Sequence, residues 1–224
     1  MVTLIALIAA FNEEPRVADV VKGTALHAST VVVVDDGSTD NTASSARDAG
    51  AIVIKHEQNR GKGCAIRTGL DYVLKQDCTH VLLLDADLQH DPAEIPRLAA
   101  CAEQGRGDFV IGEREFRKDA MPAARFHANV IGSAILSRFV GADVADSQSG
   151  FRLIRSDLLR RVELTSTGYE IETEMLIKLI RAGAAVERVA IRRLEYEGTH
   201  SKMRPFWDTF RTCLLAVHYR YISS

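Results

Sequence analysis

The stretch VLLLDADLQHDP, residues 81–92, brings two carboxylates, Asp85 and Asp87, to the end of an apolar run that is typical of a buried strand. Carboxylates are costly to remove from water unless they are paired or bind a cation. In an extended chain, residues two apart point the same way, so Asp85, Asp87 and Gln89 would direct oxygen atoms toward one point. Oxygen ligands suit a hard divalent cation, Mg2+ or Mn2+. We therefore predict a metal site here; the alternative is an ordinary strand end whose acids cap a helix.

Around this stretch the chain alternates between strand and helix patterns. The predicted strands are 2–9, 30–35, 51–55, 80–85 and 108–112. The predicted helices between them are 15–26, 39–49, 61–75 and 93–104. Strands that are apolar on both faces and alternate with helices predict an α/β fold with a parallel sheet covered on both sides. In such sheets ligands bind beyond the carboxyl ends of the strands, which is where the polar motifs of this chain fall.

The second part of the sequence is less regular. It predicts a helix over 123–140, a polar turn over 141–152, a short helix from Ser156, a helix over 169–182 and a strand over 185–192. A polar loop, 195–204, precedes a final helix from Pro205 to about Ile222. Apolar, aromatic and basic side chains share this helix, so it could pack on the domain, a membrane surface or a partner subunit. We expect one domain over 1–200, followed by a loop and amphipathic helix over 201–224.

The bulk composition excludes several classes of protein. The chain has 224 residues, 46% of them hydrophobic, and a formal net charge of -2, which suits one domain and offers no general attraction to nucleic acid. Its four cysteines are scattered, as is typical of reduced cytosolic thiols. No run of 18 or more apolar residues occurs, so we expect a cytoplasmic protein that could still lie on a membrane.

Two further motifs follow predicted strands. In DDGSTDNT, Asp35 and Asp36 end a strand, and an acid in this place can bind ribose hydroxyls or a base N–H group. In NRGKGCAIRTG, Lys62 lies between two glycines at a helix start without the spacing of a P-loop. Lysine and exposed amides at a helix N-terminus suit an anion, whereas a turn with a solvated lysine is the alternative.

Arginines and an asparagine follow the fifth predicted strand. GEREF carries Arg114 and Arg117, and RFHAN carries Arg125 and Asn129, which lie four apart and so on one helix face. Arginines near the carboxyl end of a sheet suggest phosphate recognition, although most surface arginines have no such role.

Seven motifs in this order, FNEE, DDGSTDNT, NRGKGCAIRTG, DADLQHDP, GERE, DSQSGFR and GYEIETEML, resemble the family 2 glycosyltransferases of the GT-A fold. The resemblance covers about residues 2–200 and is greatest to the branch of dolichyl-phosphate mannosyltransferases and polyprenyl-phosphate glycosyltransferases. It implies a Rossmann-like, mostly parallel sheet flanked by helices. Many relatives have a proline and a tyrosine before the Asn-Glu pair, where this chain has AAFNEE.

The resemblance also implies roles for individual residues. Those matching the nucleotide-sugar site are Ala10, Asn12, Glu13, Asp35, Asp36, Lys62, Asp85 and Ala86. Those matching the metal site are Asp85, Asp87 and Gln89. Those matching acceptor contacts are Arg114, Arg125, Asn129, Gln148, Arg152 and Lys202. Asp146 would help to shape the pocket for the sugar and the acceptor. We expect Asp87, Arg114 and Arg125 to be catalytic.

The resulting hypothesis is an inverting transferase. It would move mannose or glucose from GDP-mannose or UDP-glucose to a polyprenyl or dolichyl phosphate, with Mg2+ or Mn2+, on the cytosolic membrane face. A membrane subunit is a candidate partner. A hydroxyl acceptor, such as a glycan, is the alternative. A nucleotidyltransferase would usually carry a glycine-rich signature near the first strand, which is absent here. The remaining hypothesis is a non-catalytic subunit that binds a nucleotide sugar.

Overall fold

The computed structural model describes residues 2–114 and 149–192. In these ranges seven strands form one sheet in the order β3-β2-β1-β4-β6-β5-β7. The strands are β1 (Leu4–Ala10), β2 (Thr30–Asp35), β3 (Ile52–Lys55), β4 (His80–Asp85), β5 (Phe109–Arg114), β6 (Arg152–Arg155) and β7 (Val186–Ile191). Strand β6 runs antiparallel to β4 and β5, whereas the other neighbouring pairs are parallel. The expectation of a mostly parallel α/β sheet is confirmed.

Helices cover both faces of this sheet. The described helices are α1 (Glu14–Ala25), α2 (Thr42–Asp48), α3 (Lys62–Val73), α4 (Ile95–Glu103), α5 (Ser156–Leu159) and α6 (Ile171–Arg181). A 3-10 turn, Pro92–Glu94, leads into α4, and the Asp91 side chain caps it by accepting a hydrogen bond from Ala93 N. An aspartate cap followed by proline at the first position is typical of a helix start.

Alternating residues of β1 supply two separate apolar cores. Ile5 and Leu7 pack with α3 and α6 on one face, and Leu4, Ala6 and Ile8 pack with α1 and α4 on the other. All five are at most 4% exposed. Because both faces are buried, the strand is apolar throughout, as its sequence predicts.

The order of the strands creates a crevice between β1 and β4. The chain leaves β1 for β2 on one side, and it returns from β3 to β4 on the other side of β1. The connections diverge at this point, so a crevice opens beyond the carboxyl ends of the two strands. The motifs that follow Ala10 and Asp85 border it.

Most predicted elements agree with the structure to within about two residues, but strand β6 was missed. Residues 141–152 were expected to form a polar turn, whereas Arg152 already begins β6 and is fully buried. The strand is four residues long with an arginine at each end, so it shows no apolar pattern. The expected helices over 123–140 and 205–222 lie outside the described residues.

Candidate active site

A network of hydrogen bonds joins the loops that follow β1 and β2. The backbone N–H of Asp36 donates to Ala10 O at 2.8 Å. The backbone N–H of Asn12 donates to Ser38 Oγ at 2.9 Å, and Asn12 Oδ1 accepts from Thr39 N at 3.0 Å. The predicted nucleotide-site residues of the two motifs therefore lie together. Asn12 has a φ of 51°, a conformation that asparagine tolerates better than most residues.

Asp35 is the acid of this cluster best placed to bind a further group. Its Oδ1 accepts from Ser38 N at 2.9 Å. Its Oδ2 lies 3.6 Å from Lys55 Nζ and makes no hydrogen bond within residues 2–114 and 149–192. Its side chain is fully buried. The neighbouring Glu13 is tied to α2, because its N–H donates to Thr42 Oγ1 at 2.8 Å.

Asp36 is engaged by the protein itself. Its Oδ1 lies 2.7 Å from His56 Nδ1 and accepts from Arg60 N at 3.0 Å, and its Oδ2 accepts from Gly61 N at 2.8 Å. The other His56 ring nitrogen lies 3.0 Å from Thr68 Oγ1 on α3. In this structure Asp36 therefore anchors the loop that leads to Lys62, and its nucleotide contact stays a prediction.

Lys62 connects three parts of the chain. Its Nζ lies 2.6 Å from Asp85 Oδ1, 2.6 Å from Glu172 Oε1 and 5.6 Å from the centre of the Tyr169 ring. Burial by itself lowers the pKa of an amine, but the charges of Asp85 and Glu172 outweigh it and raise the pKa of Lys62 above its usual value. The lysine therefore stays a cation in the crevice.

The expectation of free amides at the N-terminus of α3 is wrong. The N–H groups of Gly63 and Cys64 donate to Thr167 O at 2.9 and 3.3 Å. A side chain on Gly61 or Gly63 would meet the backbone of this loop, since the Cβ would lie 2.4 Å from Thr167 O or 2.5 Å from Ser166 O. The two glycines of the motif therefore permit close packing of the loop before α6, and binding of an anion by Lys62 stays a prediction.

The DADLQ segment is turned rather than extended. β4 ends at Asp85, Ala86 and Asp87 form a turn, and Leu88 has a φ of 60°, which is unusual for a bulky residue. Gln89 contacts Asp87 twice, through its backbone N at 3.0 Å to Oδ1 and its amide Nε2 at 2.6 Å to Oδ2. The expected alternation ends with the strand, so Gln89 supports Asp87 here and its metal contact stays a prediction.

The pKa of Asp87 is raised, in part because its carboxylate lies near that of Asp85. Burial, followed by the charge of Asp85, raises the pKa of Asp87 to about 6. Lys62 acts in the opposite direction, and Glu13 adds a further repulsive charge. A cation bound between the two aspartates would relieve this repulsion, so the donor set fits a hard divalent ion. Within residues 2–114 and 149–192, no cluster of three or more His, Cys, Asp and Glu is arranged for a metal.

Arg152 and Gly150 of the DSQSGFR motif act inside the domain. Arg152 is 0% exposed, and its guanidinium donates to Ser149 O at 2.7 Å and to Glu172 O at 2.6 Å. A Cβ on Gly150 would lie 2.7 Å from Asp85 Oδ2, so glycine allows the backbone to approach this carboxylate. These contacts hold the site together; acceptor binding by Arg152 stays a prediction.

The remaining predicted residues divide into three groups. Ala10 and Ala86 lie in the buried apolar core, each 3% exposed, at the ends of β1 and β4. Arg114 is the last residue of β5, and only its backbone is described. The others lie outside the described residues: Arg117, Arg125, Asn129, Asp146, Gln148 and Lys202.

The sequence interpretation missed Glu172, Tyr169 and His56. Glu172 lies in the first turn of α6 and is 5% exposed, within a helix whose neighbouring residues are also buried. A glutamate on the apolar face of a predicted helix is unusual unless it is paired, and that signal could have found it. His56 carried no comparable signal, because its partners Asp36 and Thr68 are distant in the sequence.

Comparisons with known proteins agree with this architecture. The family described as Glycosyl transferase family 2 matches residues 5–163. An undecaprenyl-phosphate mannosyltransferase of Micrococcus luteus is 31% identical over 186 residues, 78% of this chain and 76% of its own. A UDP-N-acetylglucosamine--dolichyl-phosphate N-acetylglucosaminyltransferase of Methanococcus voltae is 31% identical over 196 residues, 76% of this chain and 77% of its own.

A solved structure shows the same fold. Glucosyl-3-phosphoglycerate synthase from Mycobacterium tuberculosis, crystallised with Mn2+ and UDP-glucose, has a TM-score of 0.75 and 21% identity, over 98% of this chain and 79% of its own. The expected GT-A fold is therefore confirmed. Together with the family match over residues 5–163, the crevice and its carboxylates show that the chain belongs to glycosyl transferase family 2.

Proposed function

We propose that the protein transfers a hexose, with inversion, from a nucleoside diphosphate sugar to a polyprenyl phosphate. The observation that carries the donor half is the pair Asp85 and Asp87 at the crevice between β1 and β4, beside the acids that follow β2. The acceptor half is supported by the relatives named for undecaprenyl-phosphate and dolichyl-phosphate transfer.

Asp85 and Asp87 would hold a divalent ion together with the diphosphate of the donor. Such an ion supplies neutralisation of the negative charge that develops on the leaving diphosphate. Two carboxylates leave further coordination positions for water and phosphate oxygens, as Mg2+ and Mn2+ sites usually do. Asp35 Oδ2, which makes no hydrogen bond to the part of the chain that the structure describes, would accept one from the base or ribose. Lys62 would add a fixed positive charge.

The chemistry of the acceptor explains why a general base is unnecessary. A phosphate monoester has a second pKa of about 6, so it is largely ionised at neutral pH. An acceptor oxygen attacks the anomeric carbon, the bond to the diphosphate breaks, and its electron pair leaves with the diphosphate. The site must then hold two anions close together. Arg114, at the end of β5, and Arg125 would contribute the positive charges.

The identity of the donor and the attachment to a membrane are also proposals. GDP-mannose and UDP-glucose are the donors that we propose, and one relative is named for UDP-N-acetylglucosamine. Among the described residues no helix is long and apolar enough to cross a membrane. We place the enzyme peripherally on the cytosolic face, where residues 201–224 would lie against lipid or a membrane subunit.

A transfer assay tests the proposal. The full chain is incubated with a short polyprenyl phosphate, Mn2+ or Mg2+, and one of three labelled donors: GDP-mannose, UDP-glucose or UDP-N-acetylglucosamine. We expect label in the organic phase with one donor, and its loss on adding EDTA. Label in a hydroxyl acceptor, such as a glycan, with none in the lipid phosphate would overturn the proposed acceptor. Donor binding without any transfer would indicate a binding subunit instead.

A further inference from the structure

Lys62 is shared between two carboxylates that come from different elements of the fold. Asp85 ends β4, and Glu172 lies in the first turn of α6, 110 residues along the chain from Lys62. Both oxygens lie 2.6 Å from Lys62 Nζ. The lysine side chain is 15% exposed, that of Asp85 is 27% exposed and that of Glu172 is 7% exposed. Asp85 is thus the partner that faces the crevice, and Glu172 is the partner behind the lysine.

The backbone around Glu172 is held firmly against that of Lys62. The N–H of Gly63 donates to Thr167 O at 2.9 Å, which ties the start of α3 to the loop before α6. Arg152 Nη1 donates to Glu172 O at 2.6 Å, which fixes the first turn of α6 from the side of β6. Glu172 is therefore a rigid anchor for a long, otherwise flexible lysine side chain.

The second carboxylate changes what Lys62 does at Asp85. A lysine paired with Asp85 alone would neutralise it and would compete with any cation that binds there. A lysine shared with Glu172 has a second partner, so it can turn from Asp85 toward an incoming diphosphate without leaving a buried charge unpaired. Glu172 in turn remains paired throughout.

From this arrangement we infer that Glu172 is a positioning residue of the donor site: it holds Lys62 so that its ammonium group is available to the diphosphate while Asp85 is released for the cation. This inference rests on the donor half of the proposed function. Glu172 acts through Lys62 and does not itself contact the donor.

The test measures binding of Mn2+ with UDP or GDP by isothermal titration calorimetry, with the full chain and no acceptor. Glu172→Gln is expected to weaken nucleotide binding about tenfold or more, which corresponds to about 1.4 kcal/mol. The matched control is Glu170→Gln, two residues earlier; Glu170 Oε1 accepts a hydrogen bond from the backbone N–H of Gly168 at 3.2 Å. This control should bind the nucleotide like the wild type.

A double-variant cycle separates positioning from a general structural effect. Lys62→Met should weaken nucleotide binding, and Lys62→Met with Glu172→Gln should bind no more weakly than Lys62→Met alone. The double variant removes both charges together, so it leaves no unpaired buried charge and gives a result even if Glu172→Gln alone is unstable. Losses that add, or a Glu172→Gln variant that binds like the control, would overturn the inference.

The acceptor is tested separately. A wild-type chain that binds nucleotide with Mn2+ but glycosylates no polyprenyl phosphate would overturn the proposed acceptor and leave the role of Glu172 standing. A wild type that binds neither UDP nor GDP in the presence of Mn2+ would contradict both. In the transfer assay, a positioning role predicts that the donor KM of Glu172→Gln rises while the acceptor KM stays unchanged.

Discussion

The two parts of the sheet use charged residues in opposite ways. On the parallel part, β1 to β4, the acids follow the strands and border the crevice; the side chain of Asp85 is 27% exposed. Near the antiparallel β6, two charged residues instead lie inside the domain: Arg152 and Glu174 are each 0% exposed. A charged motif therefore identifies a functional region. Its place in the fold decides whether its side chains face the crevice or support the residues that do.

The largest effect should come from the half-buried aspartates that follow Leu84. Asp87→Asn removes one charge of the aspartate pair, and we expect transfer to fall about a thousandfold or more, because several kcal/mol of charge stabilisation depend on the bound ion. The checks are the initial rate and the Mn2+ affinity, with a thermal melt as the folding control. A variant that kept the full rate of transfer would show that Asp87 is not needed for the reaction. The comparison between the two parts of the sheet would then fail.

Arg152→Met should act on stability instead. The substitution leaves the carbonyls of Ser149 and Glu172 without their buried donor, so we expect the free energy of unfolding to fall by about 3 kcal/mol. Urea denaturation measures this free energy. The control is Arg161→Met, because the Arg161 side chain is 60% exposed. The stability of this control should lie within about 0.5 kcal/mol of that of the wild type. An unchanged stability with a raised acceptor KM would instead show that Arg152 is an acceptor ligand.

Gly150→Ala tests the contact between the two parts. The new Cβ would lie 2.7 Å from Asp85 Oδ2, and a side-chain end shifts more easily than backbone. We therefore expect the carboxylate to move and the donor kcat/KM to fall about 10- to 100-fold, with little change in melting temperature. A lower melting temperature with unchanged kinetics would place Gly150 among the purely structural residues.

The smallest effect concerns Glu174, whose carboxylate accepts from Thr165 N at 2.9 Å and Ser166 N at 2.8 Å and pairs with Lys178. Burial opposes ionisation, but these hydrogen bonds outweigh it and lower the pKa of Glu174 from 4.5 to about 2. Its stabilising contribution is therefore present above pH 4.5 and is lost as the pH falls toward 2.

Glu174→Gln should accordingly lower the free energy of unfolding by about 1–2 kcal/mol at pH 7. The difference from wild type should shrink as the pH is lowered to about 2, which urea denaturation at several pH values measures. A difference that does not depend on pH would mean that shape rather than charge holds the loop before α6.

Much of the parallel part could be predicted because its signals are local. Apolar runs such as that of β4 end in polar motifs, and each strand is followed by a helix. This pattern was sufficient for the sheet, for the edge at which the site lies and for most of the strand bounds. Strand β6 was missed because only two of its four residues are apolar and its pairing with β4 is long-range.

By itself, the sequence determined the α/β class, the family and the aspartates at the end of β4, because these follow from short patterns of apolar runs, glycines and acids. The tertiary structure alone decided which charged residues support the site and which face it. Lys62 meets Glu172 across 110 residues, and such pairing depends on how α3 and α6 pack, which no local pattern encodes. Burial also turned Arg152 into a structural donor, since a buried guanidinium must be satisfied by the groups that the fold places around it.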